Sequence, residues 1–216
     1  MDKEYWNEYY TEKKAVHFPS PFAEYWAEKG LVKNSVIVDI GCGNGRDSFY
    51  FMENCAKHVI GIDQSEVVVN NNNVSAKNLN KKLENSIEFM TSNFVYMELG
   101  EGGLNIDFYY SRFTLHAISY EEQREFFLNL NRVMKIGSSC AIEVRTVNDD
   151  KFKASAVTGK NTGFTDHSRC FCDPSDILKI LLSYDFMVTY FEESTDFAKF
   201  HDEAPSVMRI LFKKVV

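Results

Sequence analysis

The 216-residue sequence predicts an α/β fold: a doubly wound sheet of seven strands, mostly parallel, with one antiparallel strand at an edge. The main observation is that strand-like and helix-like segments alternate from residue 35 onward. A second observation is that two strand-like segments follow one another near the carboxyl terminus without an intervening helix. Because such sheets bind ligands at the carboxyl ends of their strands, we expect a functional site at that edge.

The first half of the chain supplies four strand candidates. The β-branched run over 35–40 is separated by a helix over 46–55 from a second apolar run over 58–62. A polar helix begins near residue 65 and contains the asparagine run 70–73, which we interpret as solvated and without a function. The next strand candidates are 87–90 and 106–110.

The second half of the chain has clear helix boundaries. Ser119 and Glu122 have the spacing of a capping box, and apolar residues on one face predict a helix that ends before Gly137. Asp173 followed by Pro174 is typical of the start of another helix. The remaining strand candidates are 140–146, 186–191 and 207–213.

Two segments lie outside this alternation. Residues 1–34 are expected to form an N-terminal helical cap on a core domain over 35–216. Residues 148–172 are polar, contain glycine and lack periodicity, and at roughly 25 residues they exceed an ordinary connection. We interpret this segment as a lid-like insertion, with a dimer contact as the alternative.

Composition disfavours several classes of protein. The 24 Lys and Arg residues against 31 Asp and Glu residues give a formal net charge of −7, which disfavours nucleic acid or an anionic membrane surface as a partner. No apolar run approaches the roughly 18 residues that a membrane-spanning helix needs. The five irregularly spaced cysteines fit neither a disulfide framework nor a usual zinc pair, so we expect a reduced, cytoplasmic protein without a metal.

A glycine loop joins the first strand to the following helix. In the segment DIGCGNG, Gly41, Gly43 and Gly45 allow the backbone to turn tightly and to approach a ligand without an intervening Cβ. This spacing differs from the G-x-G-x-x-G spacing of nicotinamide-cofactor sites. Asp63 ends the second strand, where a carboxylate can accept hydrogen bonds from two ribose hydroxyls.

The segments VIVDIGCGNG and VIGID resemble the cofactor site of class I S-adenosylmethionine-dependent methyltransferases, which have a Rossmann-like sheet of seven strands. The resemblance implies S-adenosyl-L-methionine as cofactor and S-adenosyl-L-homocysteine as product. It implies that the three glycines line the methionyl and ribose part, that Asp63 binds the ribose and that Gln64 lies beside the adenine. Asn93 and Phe94 follow the third strand, where the family usually holds the adenine amino group with an Asp.

The same resemblance implies further cofactor contacts. Asp39 and Ser111, near the ends of the first and fourth strands, complete the expected set. The N-terminal YWNEYY resembles the aromatic leader that closes over the cofactor in many small-molecule members of the family, and Tyr10 is the expected contact. A helix that packs its aromatic residues on the core is the alternative, and both can hold.

The methyl acceptor is less constrained than the cofactor. Transfer from a sulfonium is an in-line displacement, so the protein mainly has to align the acceptor with the methyl carbon. A hydroxyl acceptor calls for a base, and the candidates are His116 and His167. An acceptor oxygen that is already anionic needs no base and calls for arginine, and the candidates are Arg112 and Arg169.

Longer segments narrow the acceptor class by resemblance. The chain has no proline between Pro21 and Pro174, so the proline motif that usually follows the fourth strand in enzymes that methylate exocyclic nucleobase or amide nitrogens is absent. The cysteine beside proline that the cytosine C5 enzymes need is absent as well. The segments WNEYY, PSPFAEY, IGCGNGRDS, YYSRFTLHAI, DHSRCF and EAPSVMRI together resemble a bacterial subgroup associated with capsule and surface-glycan loci. Members of that subgroup are linked to O-methylation of sugar or phosphoramidate decorations, which implies a small or nucleotide-activated acceptor.

Three functional hypotheses remain open at this point. The first is a cytoplasmic O-methyltransferase of a small anionic or sugar-like acceptor, as a monomer or a homodimer. The second is a methyltransferase of a small amine or a protein side chain. The third is a protein that binds the cofactor or a partner without turnover, and the intact glycine loop and Asp63 weigh against it.

Overall fold

The structure of the chain is a computed structural model. It describes residues 3–12, 18–80, 85–97, 104–164, 168–184, 186–200 and 202–216. The chain divides into two compact units, residues 2–110 and residues 111–216. Among the residues that the structure describes, no helix is both long and apolar enough to cross a membrane.

The unit over 2–110 contains the glycine loop. Its elements are α1 (Lys3–Glu12), α2 (Pro21–Glu28), β1 (Val36–Ile40), α3 (Arg46–Glu53), β2 (His58–Asp63), α4 (Glu66–Asn80) and β3 (Ser86–Thr91). The strands β1, β2 and β3 pair in parallel, with His58 opposite both Val36 and Ser86. Every residue of β1 is buried, which explains the continuous apolar run in the sequence.

The unit over 111–216 begins within the strand β4 (Phe108–Arg112). Its further elements are a 3₁₀ turn (Leu115–Ala117), α5 (Tyr120–Val133), β5 (Ser139–Arg145), α6 (Asp150–Lys153), β6 (Ala156–Gly159), β7 (Thr162–Phe164), β8 (Ser168–Cys170), α7 (Pro174–Ser183), β9 (Phe186–Ser194) and β10 (Val207–Lys214). The capping box predicted for α5 is present: Ser119 Oγ accepts the N–H of Glu122, and the Glu122 carboxylate accepts the N–H of Ser119.

The seven-stranded sheet has the order β3-β2-β1-β4-β5-β10-β9. This order confirms the predicted doubly wound, mostly parallel sheet. The antiparallel strand is β10, which pairs with β5 on one side and with β9 on the other. It lies second from the edge because the chain first forms the outermost strand, β9, and then returns between β9 and β5.

The insertion at 148–172 contains more regular structure than the sequence indicates. It holds α6 and a small antiparallel sheet in the order β6-β7-β8. Its strands have three or four residues, and every residue of β6 is exposed, so the insertion carries no apolar alternation for a sequence pattern to detect. A lid function for this segment stays a prediction.

The interpretation of the asparagine run as merely solvated is wrong for two of its members. Asn72 is 4% exposed. The side chain of Asn73 forms hydrogen bonds with both the carbonyl and the N–H of one residue of β3. The Asn73 amide donates to the carbonyl of Phe89 at 2.8 Å and accepts the Phe89 N–H at 3.1 Å. Because β3 is the outermost strand, these backbone groups face no neighbouring strand, and Asn73 satisfies both.

A buried polar network anchors α2 within the unit over 2–110. The Asp47 carboxylate accepts the N–H and the hydroxyl of Ser20, both at 2.7 Å. It also accepts the hydroxyl of Tyr110 at 2.8 Å. Ser20 in turn caps α2, since its Oγ accepts the N–H of Ala23. The start of α2, the first turn of α3 and the middle of β4 therefore meet at one carboxylate.

Candidate active site

The glycine loop is held against the end of β2. Gly41, Gly43 and Gly45 have φ angles of 69°, 51° and 72°, in the left-handed region that favours glycine. The N–H of Gly41 donates to the carbonyl of Ile62 at 2.8 Å. Gly43 is also required for a steric reason, because a Cβ there would lie 2.5 Å from the hydroxyl oxygen of Tyr10.

The Asp63 carboxylate lies beside the glycine loop. Its Oδ2 accepts the N–H of Gly43 at 3.0 Å, and its Oδ1 accepts the N–H of Ser65 at 2.9 Å. Burial raises the pKa of Asp63, although hydrogen bonds from backbone N–H groups oppose the rise. The backbone N–H of Gln64 also bonds this carboxylate. A carboxylate oxygen can accept more than one hydrogen bond, so the group can still accept ribose hydroxyls. This geometry fits a ribose diol.

The helix α1 lies over this loop within the same unit. Tyr10 approaches Gly43, and the hydroxyl of Ser65 donates to Asn7 Oδ1 at 2.6 Å. Burial raises the pKa of Tyr10 well above its usual value, and the charge of Asp63 adds to this, so the phenol is neutral. The ring of Trp6 lies against Tyr10 with centroids 6.0 Å apart. The structure therefore places Tyr10 at the glycine loop, and its contact with the cofactor stays a prediction.

Asp39 lies at the end of β1, where the hydroxyl of Ser48 donates to its Oδ2 at 2.5 Å. The side chain is 3% exposed. Burial raises the pKa of Asp39 to about 8, with a further increase from the charge of Asp47 and a decrease from the Ser48 bond. At neutral pH Asp39 is therefore mainly a neutral carboxylic acid, and its direct contact with a cofactor stays a prediction.

We expect Asp39→Asn to stabilise the protein in a pH-dependent way. A folded-state pKa of about 8 against 3.8 means that the contribution of Asp39 to stability is complete below pH 4 and is lost as pH rises to 8. The loss is about 1.4 kcal/mol per pH unit within that window. Urea unfolding should therefore show the variant gaining about 4 kcal/mol over the wild type between pH 5 and pH 8. The same gain in exposed Asp150→Asn, or no gain in Asp39→Asn, would contradict the assignment.

Buried polar atoms without protein partners mark the other end of this site. Among the described residues, Gln64 Nε2 and Ser92 Oγ are buried and have no hydrogen-bond partner. The N–H of Ser92 donates to the carbonyl of Asp63 at 2.9 Å, which places this residue at the ends of β2 and β3. Unsatisfied buried groups of this kind are typical of a site that a ligand or water completes. The sequence predicted Gln64, but no pattern pointed to Ser92.

Asn93 and Phe94 follow directly in the turn after β3. Asn93 Oδ1 accepts the N–H of Val95 at 3.0 Å, so the asparagine stabilises its own turn. Phe94 is 2% exposed and contributes to the core. Together with Gln64 and Ser92, these residues combine apolar and hydrogen-bonding groups, which suits a flat heteroaromatic ring such as adenine.

Within the unit over 111–216, Arg112 belongs to a buried charge cluster. Glu143 is 1% exposed and accepts hydrogen bonds from the Nε atoms of both Arg112 and Arg209, each at 2.7 Å. The bond to Arg112 uses one of the five N–H donors of its guanidinium and fixes the plane of the group. The sequence predicted Arg112 but neither Glu143 nor Arg209, which lie 31 and 97 positions further along the chain.

Two aromatic neighbours of Arg112 complete the cluster. The guanidinium carbon of Arg112 lies 4.3 Å from the ring centroid of Phe113, whose ring centroid is 5.6 Å from that of His116. Phe113 has a φ of 55°, an unusual conformation for a bulky residue, and its N–H donates to the carbonyl of Glu143. The sequence candidates Arg112 and His116 are thus brought together around one strained residue.

Two further candidates, Ser111 and Arg169, lie within the described residues. Ser111 is fully buried, and its hydroxyl has no partner among the described residues. Arg169 lies on β8 opposite Gly163. The strand is tied to the turn that carries His116, because Gln123 Nε2 donates to the carbonyls of Leu115 and Cys170 at 3.0 Å and 2.9 Å. The candidate His167 lies outside the described residues.

Comparison with known families agrees with this geometry. Residues 37–137, slightly less than half of the chain, match the model of a family described as a methyltransferase domain. The matched range contains the glycine loop, Asp63 and Arg112. The chain therefore has a Rossmann-like methyltransferase fold, and residues 37–137 are similar to a methyltransferase domain.

Individual relatives extend this similarity. Over 40 residues the chain is 42% identical to protein arginine N-methyltransferase 1 of Saccharomyces cerevisiae, a match that covers 18% of this chain and 12% of that protein. Over 178 residues it is 28% identical to phosphoethanolamine N-methyltransferase of Plasmodium falciparum, which covers 74% of this chain and 64% of that protein. The chain thus spans less than two thirds of the length of either curated relative.

A solved structure shares the fold over most of the chain. Magnesium protoporphyrin IX methyltransferase from Synechocystis PCC 6803, crystallised with bound S-adenosylhomocysteine, matches with a TM-score of 0.63 and 19% identity. The match covers 89% of this chain and 79% of that one. The three relatives are named for three different acceptors, so this similarity supports a common fold.

Proposed function

We propose that this protein is a methyltransferase that uses S-adenosylmethionine to methylate an oxygen of a small anionic, sugar or nucleotide-activated acceptor. The observation that carries the proposal is the pairing of Asp63 with the N–H of Gly43, beside unpartnered Gln64 Nε2 and Ser92 Oγ. This arrangement offers a carboxylate that accepts hydrogen bonds from ribose hydroxyls, and two unpartnered polar atoms that can bind the adenine. The cofactor supplies an electrophilic methyl carbon bound to a positively charged sulfur.

The residues of the unit over 2–110 would hold the cofactor. Asp63 accepts the ribose hydroxyls, and the glycine loop allows close approach of the methionyl part. Gln64 and Asn93 bind the adenine edge. Tyr10 lies over Gly43, where its neutral phenol limits the access of water to the site.

On the acceptor side we propose that Arg112 binds an anionic oxygen. Glu143 holds the guanidinium through Nε, and this leaves the planar fork of terminal amino groups for a phosphate-like or carboxylate group. An anionic acceptor oxygen is nucleophilic without removal of a proton, so His116 then assists binding instead of acting as a base. Arg169 and His167 are proposed to add to this site from the insertion.

A small amine is the second candidate acceptor. One of the curated relatives is named for phosphoethanolamine, a compound that combines an anionic phosphate with an amine. An arginine fork would suit the phosphate of such an acceptor as well.

We also propose that the protein acts in the cytoplasm as a monomer or a homodimer. Its methyl acceptor is a small molecule, and it binds neither nucleic acid nor a membrane. Its role is proposed to be the modification of a capsule or surface glycan.

Methyl-labelled S-adenosylmethionine distinguishes these acceptors. The protein is incubated with the labelled cofactor and a desalted bacterial lysate, which is then separated into small-molecule and macromolecular fractions. We expect label in the small-molecule fraction, in a compound that mass spectrometry can identify. Label in the macromolecular fraction would indicate that the acceptor is a protein or a finished glycan. If the protein binds the cofactor but transfers no label to a component of any lysate, the result would favour a non-catalytic protein.

Once a labelled compound is in hand, side-chain variants should separate the two chemistries. With an anionic acceptor we expect Arg112→Ala and Arg169→Ala to raise the apparent KM for the acceptor by about tenfold or more, since each loses a charge-assisted hydrogen bond. His116→Ala and His167→Ala should retain turnover. Exposed Arg124→Ala on α5 is the charge-matched control. The reverse ranking, with kcat lost in the histidine variants, would indicate a hydroxyl acceptor and a histidine base.

A further inference from the structure

Asn72, a buried residue of α4, contacts the glycine loop directly. Its Nδ2 donates to the carbonyl of Gly43 at 2.8 Å, while the N–H of Gly43 donates to Asp63 Oδ2 at 3.0 Å. The two backbone groups of one loop glycine are therefore held by two side chains from different elements. Asn70 and Asn71 in the same run are exposed, so the run leaves its first two side chains in solvent and places the Asn72 amide against the loop and the Asn73 amide against β3.

The bond matters because of what glycine lacks. With a φ of 51° and no Cβ, Gly43 has little intrinsic preference among its accessible conformations. Among the residues that the structure describes, the other donor to its carbonyl is the Cys42 thiol at 3.7 Å, a weak interaction. Asn72 therefore supplies the main interaction that selects the direction of this carbonyl.

The planarity of the peptide carries the effect further along the loop. The carbonyl of Gly43 and the N–H of Asn44 belong to one peptide unit and point in opposite directions. A carbonyl directed at α4 places that N–H on the side away from α4. A rotation of this unit would exchange a donor for an acceptor on that side of the loop. The N–H of Gly43, which Asp63 accepts, belongs to the preceding peptide unit, so Asn72 and Asp63 hold the two peptide units on either side of the Gly43 Cα.

We infer that Asn72 is a positioning residue for the cofactor, which holds the Gly43 carbonyl so that the glycine loop presents its binding geometry. This inference rests on the proposed function, because S-adenosylhomocysteine is the ligand that reports on it. Asn72 acts through Gly43, and its role differs from that of the side chains expected to touch the cofactor.

The test uses Asn72→Asp, which keeps the size of the side chain and replaces the donor by a carboxylate that repels the Gly43 carbonyl. Calorimetric titration of the full chain with S-adenosylhomocysteine at pH 8 should show an affinity about tenfold or more below that of the wild type. Asn71→Asp makes the same chemical change one residue away on the exposed face, and its affinity should stay within twofold. Equal affinities in Asn72→Asp and wild type would overturn the inference.

The pH dependence distinguishes positioning from a general structural effect. A protonated carboxyl at position 72 again has a donor for the Gly43 carbonyl, so the ratio of variant to wild-type dissociation constants should fall to about threefold or less at pH 5.5. The titratable groups around the loop, Asp39, Cys42, Asp63 and Tyr10, are present in both proteins, and the uncharged Asn72→Ala variant measures their titration without the added carboxyl. A ratio that stays constant with pH would contradict the role of the donor.

A second variant covers the case in which the aspartate variant does not fold. Asn72→Ala removes the donor without adding a charge, so it should weaken binding by a similar factor with no recovery at low pH. An affinity within twofold of wild type in Asn72→Ala would overturn the inference. If the wild type itself does not bind S-adenosylhomocysteine, the proposed function fails as well, and that outcome is distinct from binding that is insensitive to position 72.

Discussion

Asp63→Ala is expected to weaken binding of S-adenosylhomocysteine by about 100-fold or more. The variant loses the carboxylate that would accept two ribose hydroxyls, and each hydrogen bond to a charged group contributes about 1.5–3 kcal/mol. It also removes the acceptor of the Gly43 N–H, so the glycine loop loses one of its anchors. Calorimetric titration of both proteins measures the change directly.

A matched control separates this effect from a general loss of structure. Asp107 lies in the same unit and accepts the N–H of Val36 at 2.8 Å, so Asp107→Ala also loses a carboxylate bonded to backbone. Its affinity should stay within twofold of the wild type. The same small change in Asp63→Ala would refute the ribose role.

In the wild type, affinity for S-adenosylhomocysteine should decrease as pH falls through the raised pKa of Asp63, because the protonated acid is a poorer acceptor.

Asp47→Ala is expected to lower the free energy of unfolding by about 3–5 kcal/mol. Asp47 is 5% exposed and accepts three hydrogen bonds, two from Ser20 and one from Tyr110. The hydroxyls of Ser20 and Tyr110 lie 3.0 Å apart and can bond each other, so removal of the carboxylate leaves the Ser20 N–H and one of the two hydroxyl protons without an acceptor. Such buried groups cost more than the net value of the bonds they made. Urea denaturation followed by circular dichroism measures the loss as a lower midpoint.

Tyr110→Phe provides the graded comparison for this network. It removes one donor and leaves the two bonds between Ser20 and Asp47, so the loss should be about 1 kcal/mol. Equal losses in the two variants, or a loss below about 1 kcal/mol in Asp47→Ala, would show that the network does not anchor α2. Because all three residues belong to the unit over 2–110, the effect should appear in the unfolding of that unit.

The fold and the cofactor side of the candidate site were predictable because their signals are local. The alternation of apolar strands with helices predicted the sheet, and the structure has it in the order β3-β2-β1-β4-β5-β10-β9. Gly41, Gly43 and Gly45 all adopt positive φ, a backbone requirement that a single residue type satisfies. Asp63 followed from its position at the end of an apolar run, since strand ends in such sheets meet at one edge.

The insertion and the asparagine run show where local patterns fail. Three short strands at 156–170 have too few buried side chains to produce a period, so the segment resembled coil in the sequence. In the run 70–73 four identical residues receive different environments. Asn72 faces the glycine loop and Asn73 faces β3, because a helix turns by about 100° at each residue.

The amino-acid sequence alone determined which segments form strands and helices, where the backbone turns at the glycine loop, and which acid ends β2. Only the tertiary structure decided how the buried polar groups pair: Asp47 with Ser20 and Tyr110, Glu143 with Arg112 and Arg209, and Asn72 with Gly43. The reason is physical. Backbone conformation and apolar periodicity depend on neighbouring residues, whereas a buried donor takes whichever acceptor folding brings within about 3 Å, however distant it is in the chain.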